Sequence, residues 1–200
     1  MTPVLLVTLS VLVAFSAAAC SPRPPEQPDA SRNAQDSANP MAALRMEILT
    51  DTDPKRLGVS PTEKRPHVWG IIMDLGYPEA NVSLVALADD TVSLYFSSGG
   101  GIIGAGEHEP VRLEARRFVD SSEQYLEQLS PAQDTNFPEK DRVRFYVLTY
   151  SGNLTADVSE KELASGKHAL SQLYLDGHKV IAQIREASDE TQRKKQESLN

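Results

Sequence analysis

The stretch from Val82 to Ser97, VSLVALA-DD-TVSLYFS, decides the fold. Two β-prone runs, Val82–Ala88 and Thr91–Ser97, are separated only by Asp89-Asp90. That spacing predicts an antiparallel hairpin, although Asp-Asp is a weaker turn signal than Asp-Gly. In the second arm Val92, Leu94 and Phe96 fall on one face, with Ser93 and Tyr95 on the other. Upstream, Val68-Trp69-Gly70-Ile71-Ile72-Met73 is a continuous apolar run, the pattern of a strand covered on both faces. Downstream, Arg142–Tyr150 alternates: Val143, Phe145 and Val147 oppose Arg144, Tyr146 and Leu148, which predicts a fourth strand.

Helical periodicity fills the remainder. Met41–Leu49 reads as a short helix, followed by a proline-bearing loop to His67. Pro110–Leu129 repeats Val111, Ala115, Phe118, Ser122, Tyr125 or Leu126, and Leu129 at three- and four-residue spacing, one buried stripe. Pro110 suits the first turn, where its missing N–H costs nothing. Ser159-Glu160-Lys161-Glu162 has the form of a capping box, and Gly166 is a stop. A last helix over His168–Ala187 places Leu170, Leu173, Val180, Ile181 and Ile184 together. Gly177 inside it marks either close packing or a break, because glycine costs ~1 kcal/mol relative to alanine in a helix. The order predicts a single α+β domain over residues 41–187. Its antiparallel sheet has about four strands, packed by two or three helices mainly on one side. A profilin- or roadblock-like arrangement is compatible with that order, an analogy without functional content.

The ends differ in composition from the core. Pro3–Ala19 is apolar and uncharged, about the length of a signal-peptide core, and Ala17-Ala18-Ala19 precede Cys20, the only cysteine. This leader resembles a bacterial lipoprotein signal. The resemblance implies diacylglycerol on the Cys20 thiol after cleavage and a place in the cell envelope. In a Gram-negative host it implies the outer membrane facing the periplasm, since Ser21 rather than Asp follows the cysteine. Two departures stand out: no Lys or Arg precedes the apolar core, and Ala17 occupies a position where lipoproteins usually carry Leu. The other readings of the leader are an ordinary secretory signal that leaves Cys20 a free thiol and an uncleaved membrane anchor. Residues 20–40 contain five prolines and no large aliphatic side chain, so they read as a flexible tether. Residues 188–200 form a polar tail expected to fray. The formal net charge of −8 argues against nucleic acid, whose binding relies on Lys and Arg neutralising phosphates.

The most unusual internal segment is Ser97-Ser98-Gly99-Gly100-Gly101-Ile102-Ile103-Gly104-Ala105-Gly106. Gly99, Gly101 and Gly104 satisfy G-x-G-x-x-G, but the preceding strand follows a hairpin instead of belonging to a parallel βαβ unit, so the dinucleotide reading fails. Glycine backbone freedom accounts for the segment as a turn from sheet edge to helix, with Ile102 and Ile103 pinned in the core. As a candidate ligand or partner contact it comprises Ser97, Ser98, Gly99, Gly100, Gly101, Gly104, Gly106 and His108. Exposed glycine amides and serine hydroxyls suit a peptide carbonyl better than an anion, which Glu107 and Glu109 would oppose. The core from Val68 to Arg185, with Val68-Trp69-Gly70, Ser93–Ser97 and Gly99–Gly106, resembles a group of uncharacterised bacterial proteins, and that resemblance implies no catalytic residue.

No zinc spacing links His67, His108, His168 and His178, and no G-x-S-x-G elbow frames a serine. Glu107-His108-Glu109 reads as a solvated turn, Asp89-Asp90 and Asp51/Asp53 as turn carboxylates, and Tyr95, Tyr146 and Tyr150 as core packing. No cofactor and no metal are expected. The leading expectation is a membrane-anchored, non-catalytic binding or assembly module with an envelope protein partner. The alternative is a small-ligand receptor or enzyme using residues 97–108, and a third is a structural lipoprotein pairing through its last helix.

Overall fold

The computed structural model describes residues 39–198. The leader, Cys20 and the tether up to residue 38 lie outside the described residues. The elements run α1 (Pro40–Thr50), β1 (Val68–Gly76), β2 (Asn81–Leu87), β3 (Val92–Phe96) and β4 (Gly101–Ile102). They continue α2 (Glu109–Ser122), β5 (Ser130–Pro131), β6 (Arg142–Thr149), β7 (Gly152–Ser159), α3 (Glu160–Ala164) and α4 (Ser171–Glu197). Two 3₁₀ turns, Ala105–Glu107 and Glu123–Gln128, flank α2. The fold is α+β, with one antiparallel sheet in the order β4-β3-β2-β1-β6-β7-β5.

Seven described strands replace the four that periodicity predicts. β4 and β5 are two residues each, too short to show a period. β7 does alternate, with Leu154, Ala156 and Val158 against Asn153, Thr155 and Asp157, but it is half-buried and begins Gly-Asn, residue types depleted in strands. The helix after Pro110 also ends early: regular α-structure stops at Ser122 and the last turns tighten to 3₁₀. Ser159 occupies the N-cap of α3 without making a side-chain cap bond. Gly166, at φ 73°, stops the chain as expected.

Both faces of the sheet are buried. Under α2 and α4, Ile71, Met73, Leu84, Leu94 and Phe145 pack with Phe118, Leu173 and Val180. Under α1, Trp69, Ile72, Val85, Tyr95, Tyr146 and Leu148 pack with Leu49. The unbroken apolar run of β1 has its reason here: Ile71 feeds one core and Ile72 the other. Each fully buried side chain of this size contributes ~1.5–3 kcal/mol. Gly177 lies where α4 passes closest to the sheet, since a Cβ there would meet Met73 Cε at 2.6 Å and Phe118 at 3.2 Å. Close packing, without a break, explains it. α4 continues past Ala187 to Glu197 and is exposed from Asp189 onward. Asp189/Arg193 and Glu190/Lys194 stand at the i,i+4 spacing that supports a solvated helix, and Lys194 and Lys195 suit its C-terminal dipole.

α1 crosses its face of the sheet from edge to edge. At its start Asn39 caps Met41 N and donates through Nδ2 to Phe96 O (3.2 Å) and Ser97 O (2.6 Å). At its end Asn153 Nδ2 donates to Leu49 O at 2.8 Å. Between them Arg45, 1% exposed, meets Asp74 of β1, 0% exposed. Arg45 Nε lies 3.0 Å from both carboxylate oxygens and Nη2 2.5 Å from Oδ2. Ser83 Oγ donates to Asp74 Oδ1 at 2.5 Å, and Arg45 Nη1 donates to Thr135 O at 2.8 Å. The guanidinium also sits 4.1 Å from the Phe137 ring centroid. Burial works against the charged guanidinium, but the Asp74 charge and hydrogen bonds outweigh it and hold its pKa above the ordinary value.

Removing one member of such a pair strands the other charge. Asp74→Asn is expected to lose about 3–5 kcal/mol of unfolding free energy in urea. The double change Arg45→Met/Asp74→Leu should lose less than Asp74→Asn alone. A double variant no more stable than the single one would show that the pair is not the origin of the loss.

Candidate functional site

The glycine segment is a hairpin with an edge strand and a 3₁₀ turn. Gly99 N donates to Phe96 O (3.0 Å) and Phe96 N to Gly100 O (3.1 Å), closing the β3–β4 turn. Gly99 and Gly100, at φ 110° and 80°, are exposed together with Ser98. Ser97 Oγ accepts from Asn81 N at 2.7 Å, so this hydroxyl pins β2. Gly101 opens β4, opposite Tyr95. Gly104 precedes the 3₁₀ turn in a left-handed conformation, and Gly106 is buried against the Asp90 carbonyl, where any Cβ would overlap it. His108 is exposed at the N-cap of α2 and makes no side-chain cap bond.

Ser97–Gly101 and Gly104–His108 therefore sit at opposite ends of β3, a strand ~16 Å long at 3.3 Å per residue. The described structure does not bring Ser97 and Ser98 together with His108. Ile102 packs partly against the core, whereas Ile103 is 63% exposed, against the expectation that both are pinned. The strand before the glycines lies in an antiparallel sheet, in keeping with the failure of the dinucleotide reading. Gly106→Ala is expected to destabilise the domain by roughly 2 kcal/mol or more, because backbone must move to admit the methyl. Gly99→Ala meets no neighbour within 4 Å, yet at φ 110° any side chain is strained, so thermal melts should show a loss of ~1–3 kcal/mol there as well, from backbone conformation instead of a clash.

At the other end of the strands lies a cavity of about 300 Å³ lined by Thr62, Lys64, Arg65, Leu87, Ala88, Arg116, Val119 and Asp120. The β2–β3 turn supplies Asp90, at φ 72°, whose carboxylate takes a two-pronged bond from Arg116 at 2.6 Å on each prong. That hydrogen bond holds the Asp90 carboxyl below its ordinary pKa despite partial burial. Arg65 Nε lies 2.7 Å from Asp120 Oδ1, and Arg65 Nη1 is buried with no acceptor among the described residues. Lys64 is exposed and has no ion-pair partner among the described residues. The sequence carries no signal for this grouping. Arg65 and Arg116 are about fifty positions apart, and each reads singly as an ordinary surface cation.

A second polar cluster seals α4 against the end of β7. Tyr174 Oη donates to Glu160 Oε1 at 2.9 Å, and the Tyr174 and His178 rings meet edge to face with centroids 4.4 Å apart. His178 Nε2 is buried with no partner among the described residues. Burial pushes the Tyr174 phenol well above its usual range, and Glu160 adds to the effect. Burial holds His178 below its ordinary value, with Glu160 opposing and Arg185 assisting. Both groups are therefore neutral at neutral pH. Glu107 and Glu109, flanking His108, are exposed, and no group of three His, Cys, Asp or Glu suited to a metal occurs among the described residues.

No family model, curated protein or solved structure matches this chain.

Because the His178 pKa is depressed on folding, the unfolded chain binds the extra proton more readily. Stability from this group is present above the unfolded value near 6.5 and is lost as pH falls through the lower folded value. An NMR titration should place the His178 midpoint below 6.5, and His178→Phe should flatten the loss of stability on acidification. A midpoint at or above that value would refute the assignment.

Proposed function

We propose that the chain is a lipid-anchored envelope protein of bacteria, held to the membrane through Cys20, whose domain is a non-catalytic binding and assembly module. The observation that carries this reading is the pair of bonds from Asn39 to Phe96 O and Ser97 O. Through them the chain arriving from the tether joins the domain directly beside the exposed β3–β4 hairpin. An anchor at Cys20 would then keep Ser98, Gly99 and Gly100 within at most ~65 Å of the bilayer, the reach of the extended tether. Those residues and the exposed Ile103 are the contact surface for a second envelope protein. In this reading acyl chains on Cys20 supply the attachment, and stable anchoring takes more than one such chain; no helix among the described residues is long and apolar enough to cross a membrane. The proposed likeness to profilin- and roadblock-type domains is one of architecture and adds no activity. The cationic cavity favours a second reading, a small-ligand receptor, although its residues lie outside the 97–108 segment.

The test has two parts. Mass analysis of the N-terminal peptide from the native host should find Cys20 as the first residue, carrying diacylglycerol. A photo-crosslinker at Ser98 or Ile103 should capture a discrete envelope protein that the same probe at exposed Gln192 on α4 does not. An unmodified Cys20 removes the anchor, and identical crosslinks from both places remove the hairpin as a contact site.

A further inference from the structure

We propose that the cavity between residues 62–65, the end of β2 and α2 binds a small organic carboxylate, a monoanion bearing a short apolar group. Charge is the first argument. Lys64, Arg65 and Arg116 converge on one wall of a chain whose formal net charge is −8. Asp120 faces the same space, and Asp90 is bonded to Arg116. One positive charge remains on this wall when both carboxylates are counted, which a carboxylate balances and a phosphate dianion exceeds.

The state of the cations is the second argument. Arg116 has both prongs engaged by Asp90, but Arg65 meets Asp120 through Nε alone and leaves Nη1 without an acceptor among the described residues. Nη1 is shielded from solvent, so a ligand engages it through a shift of the Arg65 side chain, which relieves a buried donor that lacks an acceptor and turns the arginine fork toward a planar carboxylate. Lys64, at the exposed side, adds a mobile charge suited to drawing an anion in. The walls are the third argument. Leu87 and Val119, 4% and 1% exposed, close the floor of the cavity, and half-buried Ala88 leaves apolar surface beside the charges. A volume of about 300 Å³ lies at the lower end of small-molecule sites. It admits a molecule of benzoate size.

The site stands at the β2–β3 turn, the end of the sheet away from Asn39 and the β3–β4 hairpin. It goes beyond the anchoring proposal and fails separately from it: an acylated protein with an inert cavity and an unacylated protein that binds are different results.

The experiment titrates the full chain in detergent micelles with sodium benzoate and, separately, with inorganic phosphate, against a matched sodium chloride series. Backbone amide shifts of Ala88 and Val119 are the readout. Benzoate is expected to give saturable shifts, with phosphate needing roughly fivefold more for half-saturation because its second charge meets Asp120. Arg65→Gln should weaken benzoate roughly tenfold, the loss of a charge-assisted hydrogen bond, and Lys64→Ala roughly threefold. Ala88→Phe fills the space with every charge retained and should abolish saturation. If Arg65→Gln does not fold, Lys64→Ala and Ala88→Phe carry the decision. Shifts that rise linearly as with chloride, benzoate binding unchanged by Ala88→Phe, or phosphate saturating below benzoate would each overturn the proposal.

Discussion

Arg45 and Asp74 are taken out of water together, and the arrangement of one whole face of the sheet follows from keeping them satisfied. A lone charge in that position would cost several kcal/mol. α1 must therefore lie at the height that lets Arg45 reach Asp74, and the 134–138 loop must close over the guanidinium with Thr135 O and the Phe137 ring. Tyr146 fastens the same loop by donating to Asn136 O at 2.8 Å. An apolar pair of the same volume would fill the space without the directional bonds that join Arg45 to Asp74 and to Thr135 O. Asn39 and Asn153 complete the alignment by tying the ends of α1 to opposite sides of the sheet.

That alignment separates two surfaces. The hairpin of Ser97–Gly100 and the start of α1 occupy one end of the strands, while the 60–67 loop, the β2–β3 turn and the first turns of α2 occupy the other. The glycine segment spans between them, with Gly99 and Gly100 making the turn at one end and Gly106 allowing the close approach to Asp90 at the other. The proposed contact surface beside Asn39 and the proposed anion site remote from it are compatible uses of one domain. Neither requires the other.

Much of the fold was legible because buried faces leave a period in the chain. β1, β2, β3 and β6, the stripe of α2 and the packed middle of α4 were all readable from apolar spacing. So was the ambiguity at Gly177, which close packing against Met73 resolves. β7 escaped because a strand near the sheet edge buries only part of each face and tolerates Gly, Asn and Asp. β4 and β5 escaped because two residues hold no period. The glycine segment was recognisable as a turn, yet its two halves lie apart in a way that only the β3–β4 pairing defines. The cavity was not legible: Lys64, Arg65, Asp90, Arg116 and Asp120 are each commonplace on a surface, and their convergence is a matter of distance.

The chain's composition and apolar periodicity determined an acidic α+β domain behind a proline-rich segment and an apolar, uncharged N-terminal stretch that runs up to Cys20. Local patterns carry such information because helix and strand repeat over a few residues and burial selects the same side chains at each repeat. Tertiary structure alone decided that Arg45 meets Asp74 across 29 positions, that α1 covers the second face, and that three cations share one cavity. Long-range electrostatics and shape depend on where separate elements come to rest, and no spacing along the chain encodes that.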